Sequence, residues 1–136
     1  MRRAFQTSAA LLSTLCLGGC LSSGAALTGA SVAPPLPPAA LALRSSLPKS
    51  ANLTLSSRAE QGALAAQYQA LQFGAVGQPV PWSADGYRGE VVPTQLYRIG
   101  SQDCRGYTHM ITKGSATTRQ VGTACRSGAE GWAPVG

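Results

Sequence analysis

Charged side chains are scarce in this sequence, which has five Asp or Glu and eleven Lys or Arg among 136 residues. The cations form no run, and those between Arg88 and Arg126 are interleaved with carboxylates. A nucleic-acid groove needs a concentrated basic stripe, so the composition argues against a nucleic-acid partner. The mildly basic balance fits a solvated surface, or weak attraction to an anionic surface such as lipopolysaccharide.

Long apolar runs are also missing, and no stretch approaches the roughly 20 residues that a spanning helix needs. The longest candidate is the nine-residue stretch Ala9 to Leu17, which follows the cations Arg2 and Arg3. A basic start followed by a short apolar core is typical of a secretory signal peptide. We therefore expect residues 1–19 to be removed, which leaves 117 of the 136 residues, enough for one modest domain.

The apolar stretch ends in Leu17-Gly18-Gly19-Cys20, which has the form of a lipobox. Small residues let the backbone enter the peptidase cleft, and the thiol of Cys20 takes the diacylglycerol. Cys16 fits less well because a leucine precedes it. Two or three acyl chains hold a protein durably on a membrane without any spanning helix. The open alternative is ordinary signal-peptidase cleavage near residues 23–25, which would release a soluble protein.

The residue after the cysteine is Leu21, not the aspartate that retains enterobacterial lipoproteins in the inner membrane. This predicts the outer membrane, with the domain periplasmic or surface-exposed. Residues 20–56 are rich in Pro, Ala and Ser, which predicts a disordered tether around the proline cluster at 34–38. A docking role of that cluster in an aromatic groove is the alternative.

A helix is predicted over residues 58–73. Ser57-Arg-Ala-Glu60 has the spacing of a capping box, and Gly74 is placed to take a left-handed C-terminal conformation. Apolar residues follow at helical spacing at Leu64, Tyr68 and Leu71. This stripe predicts packing onto a sheet rather than binding to a separate partner.

From residue 77 onwards, short runs rich in Val, Thr, Tyr and Trp alternate with glycine-containing turns. The turn signals are Asp85-Gly86, Gly100-Ser101, Gly114-Ser115 and Ser127-Gly128. We expect a mainly β (α+β) domain over 57–136, with one helix packed on an antiparallel meander of four to five strands. Pro93 lies inside the second run, which predicts an edge position or a bulge.

Cys104 and Cys125 are the two cysteines left for a disulfide in an oxidising compartment. In a pair of antiparallel strands, the residue numbers of opposite partners always add to the same total. The numbers 104 and 125 add to the same total as the turn residues 114 and 115. A two-residue turn at Gly114-Ser115 therefore places the cysteines opposite each other, at a non-hydrogen-bonded pair where side chains come closest. The same register places Tyr107 opposite Gly122, where the ring can cover the bare backbone.

Catalytic and metal chemistry find little support in the sequence. There is no CxxC pair, and His109 is the only histidine, with neither GxSxG nor HExxH around it. We expect His109 to have a surface or packing role, and no enzyme activity, cofactor or metal site. The two tryptophans are expected in the core, although a binding face is the alternative.

Several short motifs follow one another in the second half of the chain. They are Trp82, Cys104-Arg105-Gly-Tyr107, Gly122-Thr123-Ala124-Cys125-Arg126 and Gly131-Trp132. Together with the lipobox, these motifs resemble the C-terminal domain of the rickettsial-type 17-kilodalton surface antigen lipoproteins. The glycine zipper that many members carry is missing, because a Pro/Ala tether stands in its place. The resemblance implies location and architecture, and it implies no enzymatic activity.

The sequence thus predicts a non-catalytic outer-membrane lipoprotein with a structural or protein-contact role. Its expected partners are the membrane through the lipid anchor, with lipopolysaccharide, peptidoglycan or outer-membrane proteins as further candidates. The alternative is a small lipoprotein inhibitor of host lysozymes. Lysozymes are commonly basic, and residues 77–136 contain six Lys or Arg against four Asp or Glu, which offers no acidic steering face.

Overall fold

The computed structural model describes residues 35–136. The expected signal peptide, the expected lipobox Leu17-Gly18-Gly19, the expected acylation site Cys20 and the first part of the predicted tether lie outside the described residues. Residues Ala33–Gly136 form a compact unit by themselves. This unit has its own hydrophobic core, which joins the helix, the sheet and the segment that precedes the helix.

The compact unit is mainly β, as expected, and its sheet has five antiparallel strands in the order of the chain. The elements are α1 (Pro38–Leu41), a 3-10 turn (Arg44–Ser46), α2 (Ser57–Phe73), β1 (Val80–Ala84), β2 (Tyr87–Ile99), β3 (Gln102–Lys113), β4 (Ala116–Ser127) and β5 (Gly131–Val135). The four strand connections fall at the expected turn signals. Asp85 and Gly86 both have positive φ, 51° and 77°, which is the backbone that a tight two-residue hairpin turn requires.

The register of β3 against β4 is the one that the sum of the residue numbers predicts. Pairing runs without a shift from Lys113 opposite Ala116 to Cys104 opposite Cys125, and the two cysteines form a disulfide. In β2 the register shifts just after Pro93, so the expected irregularity at this proline is a bulge. Beyond Val91, β2 has no pairing with β1, and its last residues form a free edge.

Helix α2 covers one face of the sheet and approaches it closely through a row of small residues. Its fully buried side chains include Ala59, Ala63, Ala70, Leu64 and Leu71. Alanine at helical spacing keeps the helix axis near the strands, so the leucines can reach the sheet. The half-buried Tyr68 packs against the edge of this core.

Both expected ends of the helix differ in detail. The N-cap is Ser56, whose hydroxyl accepts from the backbone N–H of Ala59 at 3.2 Å, so the expected capping box at Ser57 does not form. Glu60 instead forms an ion pair with Arg44. At the other end Gly74 has φ −64° and ψ 138°, an extended conformation and not a left-handed one. The chain leaves the helix directly towards the sheet, which needs no reversal at this residue.

The expected tether does not extend to residue 56, because its second half is part of the packed unit. Leu43, Leu47 and Leu53 are buried and belong to the hydrophobic core. One helix is too narrow to cover the face of a five-stranded sheet, since a helix with side chains is about 10 Å wide and strands lie about 4.8 Å apart. The leucine-containing segment at residues 38–55 covers the remaining part of that face.

Candidate functional site

Most of the motif side chains that carry the family resemblance lie on the face of the sheet that α2 covers. Trp82, Arg105, Tyr107 and Trp132 come from three different strands, β1, β3 and β5. All but Trp82 are at most 5% exposed. Each of them contacts α2 or the segment before it. These motif residues therefore lie at the junction between the sheet and the elements that cover it.

Arg105 joins the sheet to the end of α2. Its guanidinium donates to the carbonyl oxygens of Ala70, Leu71 and Gly74 at 3.1, 3.0 and 2.5 Å. A further N–H donates to Thr94 O at 2.8 Å, beside the β2 bulge. The last carbonyls of a helix have no partner within the helix and carry partial negative charge, so a cation is favoured there. Burial lowers the pKa of Arg105 from its usual value, but the guanidinium remains charged.

His109 lies at the centre of a buried chain of hydrogen bonds. Trp82 Nε1–H donates to His109 Nε2 at 3.1 Å, and His109 Nδ1 lies 2.9 Å from Gln67 Oε1. An indole N–H can only donate, so Nε2 must accept and Nδ1 must carry the hydrogen that binds Gln67. Both ring nitrogens therefore have partners, and the imidazole is neutral.

The chain of hydrogen bonds continues to the segment before the helix. Gln67 Nε2 donates to Ser46 Oγ at 2.7 Å, and Ser46 Oγ donates to Leu43 O at 2.7 Å. Ser46 O accepts from Gln120 Nε2 at 3.3 Å and is the partner of the Tyr107 hydroxyl at 3.5 Å. In the part of the chain that the structure describes, no buried side-chain nitrogen or oxygen is left without a partner. The network therefore joins the sheet, α2 and the segment that precedes the helix.

Burial shifts the acid–base behaviour of two members of this network. The pKa of His109 is lowered to about 4, because removal from water disfavours the imidazolium. The pKa of Tyr107 is raised by burial, which outweighs its hydrogen bonds to Ser46 and Gln67. At neutral pH both groups are uncharged, which suits a packing role. The sequence predicts a surface or packing role for His109, and the structure places it in the core.

A second cluster ties β5 to the helix. Gln72 Oε1 accepts from Trp132 Nε1 at 2.9 Å and from Arg126 Nη1 at 2.8 Å. The Arg126 guanidinium also lies over the indole of Trp132, 4.5 Å from the ring centre, and donates to Ala129 O at 2.8 Å. This arrangement holds the last hairpin and the helix in one orientation.

The other residues of the motif that runs from Gly122 to Arg126 have packing roles as well. A Cβ on Gly122 would lie 2.5 Å from the hydroxyl oxygen of Tyr107, so only glycine leaves room for this ring. Ala124 is fully buried against the helix side. Thr123 points to the other face, where its hydroxyl accepts from Tyr97 OH at 3.2 Å. The disulfide lies on that same face, because side chains alternate along β3 and β4.

Gly89 and Gln67 have packing roles that the sequence motifs do not predict. Gly89 pairs with Trp82, and a Cβ there would lie 2.5 Å from the indole nitrogen. Gln67 binds His109 and Ser46 and is fully buried, although glutamine is usually an exposed residue. In the sequence, Gln67 follows Leu64 by three positions, and Leu71 follows Leu64 by seven. This helical spacing puts Gln67 on the apolar face of α2 and is the pattern that indicates its buried position.

The second face of the sheet carries no helix or strand of the described part. It carries Thr108, Thr112, Thr117 and Arg119 beside apolar side chains such as Met110 and Val121, of which Val121 is 65% exposed near the centre. A shallow groove of about 600 Å³ crosses β1 to β3 and is lined in part by Pro81, Arg88, Glu90 and Met110. A second groove of about 710 Å³ lies on residues 41–55 beside Glu60. Neither groove contains the histidine or the disulfide.

Among residues 35–136, no three His, Cys, Asp or Glu side chains come together in a group that could hold a metal ion. None of the helices in this range combines the length and apolar character needed to cross a bilayer. The chain matches no family model, no curated protein and no solved structure. The resemblance to the surface antigen lipoproteins therefore stays a prediction that depends on the motif residues themselves.

Proposed function

We propose that this chain is a non-catalytic lipoprotein of the bacterial outer membrane, a surface antigen whose small β domain has a structural or protein-contact role in the envelope. The observation that carries the proposal is the use of the motif side chains. Arg105, Tyr107, Trp132 and the only histidine hold the sheet to its helical cover and face away from solvent. A domain whose distinctive residues are used in this way acts through its outer surface.

The lipid anchor in this proposal depends on the Leu17-Gly18-Gly19-Cys20 motif. Residues between Cys20 and the packed unit serve as the tether, which is shorter than the sequence predicts because residues 38–55 pack on the sheet. The periplasm and the cell exterior are both oxidising, and the Cys104–Cys125 disulfide is stable there. An anchored domain of this kind keeps its contact surface near the membrane and its partners.

Metabolic labelling with palmitate tests the anchor. The full chain should incorporate label and fractionate with outer membranes. Cys20→Ser should lose the label and move to the soluble periplasmic fraction, whereas Cys16→Ser should behave like the parent chain. Retention of label in Cys20→Ser, or its loss in Cys16→Ser, would contradict anchoring at Cys20.

Crosslinking of the acylated chain in intact envelopes tests the contact role. A dominant outer-membrane protein or peptidoglycan adduct, lost after substitution on the open sheet face, is the expected result. The inhibitor alternative has its own test, in which the domain is titrated against a lysozyme acting on cell walls. Stoichiometric inhibition at micromolar concentration would replace the proposed function, and turnover of a wall substrate by the domain would exclude both.

A further inference from the structure

Exposed apolar side chains gather at one end of the compact unit. Five of the large exposed hydrophobic residues lie there, with 44–66% of their surface accessible to solvent, and we refer to them as the end patch: Phe73, Val76, Leu96, Tyr97 and Ile99. Scattered exposed hydrophobic residues are normal on any protein, but a contiguous group marks a contact surface. The end patch is therefore the strongest unexplained surface feature of the described domain.

Backbone contacts place these residues at the same end. Helix α2 ends at Phe73, and its last carbonyls bind Arg105. The loop after the helix is fixed to β2, because Gly77 N–H donates to Pro93 O at 2.9 Å. Beyond that point, β2 continues past β1 and forms a protruding hairpin with the start of β3. The helix end, the loop and the hairpin thus share one edge of the molecule.

The hairpin exposes apolar side chains on both of its faces. Leu96 pairs with Arg105, so it lies on the face that the helix covers elsewhere. Tyr97 pairs with Cys104 and binds Thr123 on the opposite face, and Ile99 follows it at the same parity. A protein partner docked on one face of the hairpin would leave the apolar side chains of the other face exposed to water. The interfacial zone of a bilayer surrounds an inserted hairpin and satisfies both faces.

The charge and polarity of the hairpin fit this zone. Arg98 Nη2 and Asp103 Oδ1 form an ion pair at 2.9 Å, so the two charges nearest the apolar side chains cancel. Tyr97 has an apolar ring and a polar hydroxyl, the combination that is enriched at membrane interfaces. The turn itself contains Gly100 and Ser101, which add no charge to the tip of the hairpin.

The start of the described chain and the end patch lie on the same half of the compact unit. Helix α1 contacts β5, and β5 pairs with the half of β4 that adjoins the protruding hairpin. The described chain therefore begins on that half of the molecule. The residues between Cys20 and Pro35 can reach about 50 Å at most, which is ample for this end to touch a membrane that holds Cys20.

We propose that the end patch rests in the interfacial zone of the lipid bilayer and forms a second membrane contact beside the acyl anchor. The inference rests on the proposed function for the nearness of the membrane, and on the described residues for the surface itself. Apolar burial drives the contact, so it depends little on salt. The rest of the open face, beyond Tyr97 and Ile99, then remains available to partners.

Flotation of residues 33–136 with vesicles tests this contact without the anchor, because these residues form a compact unit with its own core. The vesicles contain phosphatidylethanolamine with a minor fraction of phosphatidylglycerol. We expect salt-insensitive binding that becomes about tenfold or more weaker in the Leu96→Ser and Ile99→Ser double variant. The matched control is Leu41→Ser with Val121→Ser, which removes two exposed apolar side chains outside the end patch and should bind like the parent.

Circular dichroism and the thermal transition show that each variant is folded before its binding is compared. Failure of the folded parent to float, or equal weakening in the control, would overturn the proposal. Sedimentation that shows a dimer broken only by the Leu96 and Ile99 substitutions, without vesicle binding, would overturn it in favour of a second copy. Because the fragment of residues 33–136 lacks Cys20, the flotation result is independent of the palmitate experiment.

Discussion

Trp82 and His109 are joined by a hydrogen bond from the indole Nε1–H to the imidazole Nε2 at 3.1 Å. The bond requires a neutral imidazole, because protonation would place an N–H donor on Nε2 opposite the indole donor. The two rings also meet edge to face, with their centres 6.1 Å apart. Protonation of His109 in acid therefore breaks this contact and destabilises the fold.

The first prediction concerns pH. Burial lowers the folded-state pKa of His109 to about 4, against 6.5 in the unfolded chain. Between these two values the unfolded chain binds more protons than the folded chain. The contribution of His109 to the free energy of unfolding is therefore at its maximum above about pH 6.5 and falls as the pH drops towards 4. The loss from this one group is about 3 kcal/mol. Urea unfolding at a series of pH values measures it.

His109→Asn is the matched control, because asparagine cannot titrate. Its absolute stability will be lower, but the slope of the unfolding free energy between pH 6.5 and 4.5 should be smaller than in the parent chain. Identical slopes in the two proteins would show that His109 is not the source of the pH dependence.

The second prediction concerns the helix end. Arg105→Leu leaves the carbonyls of Ala70, Leu71 and Gly74 without their donor in a buried place, which costs about 2–4 kcal/mol of stability. Arg105→Lys keeps the charge but cannot span the same carbonyls with one ammonium, and its loss should be intermediate. Arg119→Leu, on the open face, should change stability by less than about 0.5 kcal/mol. Thermal and denaturant unfolding check the order of the three variants.

The third prediction concerns the disulfide. Replacement of both Cys104 and Cys125 by alanine should lower the unfolding free energy by about 2–5 kcal/mol, since the bridge restricts a long loop in the unfolded chain. Chemical denaturation of protein from the periplasm gives the value. Mass spectrometry that finds two free thiols in the parent protein would remove the basis of this expectation.

The fourth prediction concerns the space at Gly122. In Gly122→Ala the new methyl group meets the Tyr107 ring, whose hydroxyl oxygen lies 2.5 Å from the Cβ position. We expect a loss of about 1–3 kcal/mol from overpacking. Adding Tyr107→Leu removes the obstacle, so the alanine substitution should cost much less in that background. A double-mutant cycle measures this coupling, and additive effects would show that the ring does not limit residue 122.

Local chemistry determined the strand pattern of the sheet. A tight turn at Gly114-Ser115 fixes every pair between β3 and β4, and the cysteines follow from the same arithmetic. Pro93 cannot donate to a ladder, so an irregularity there was also readable from the sequence. These features depend on neighbours in the chain or on a single hairpin.

The N-cap of α2 was harder to predict from the sequence, because Ser56 and Ser57 are adjacent and serine is a favoured N-cap residue. The choice between them depends on the entry path of the chain, which is set by the packed leucines before the helix. Ser56 also donates to the Asp85 carboxylate, a partner 29 positions away. Local signals could place the helix start only to within one residue.

The sequence by itself determined the meander, its turns, its disulfide and the absence of a recognisable catalytic motif, because each depends on local backbone preference or on pairing parity. Only the tertiary structure decided that residues 38–55 belong to the core, because their Leu, Ser and Pro pattern has no helical or strand period. It also decided the roles of Arg105 and His109. Among the groups that they bind are carbonyls and a side chain of α2, more than 30 positions earlier, and only the packing of the helix on the sheet brings them together.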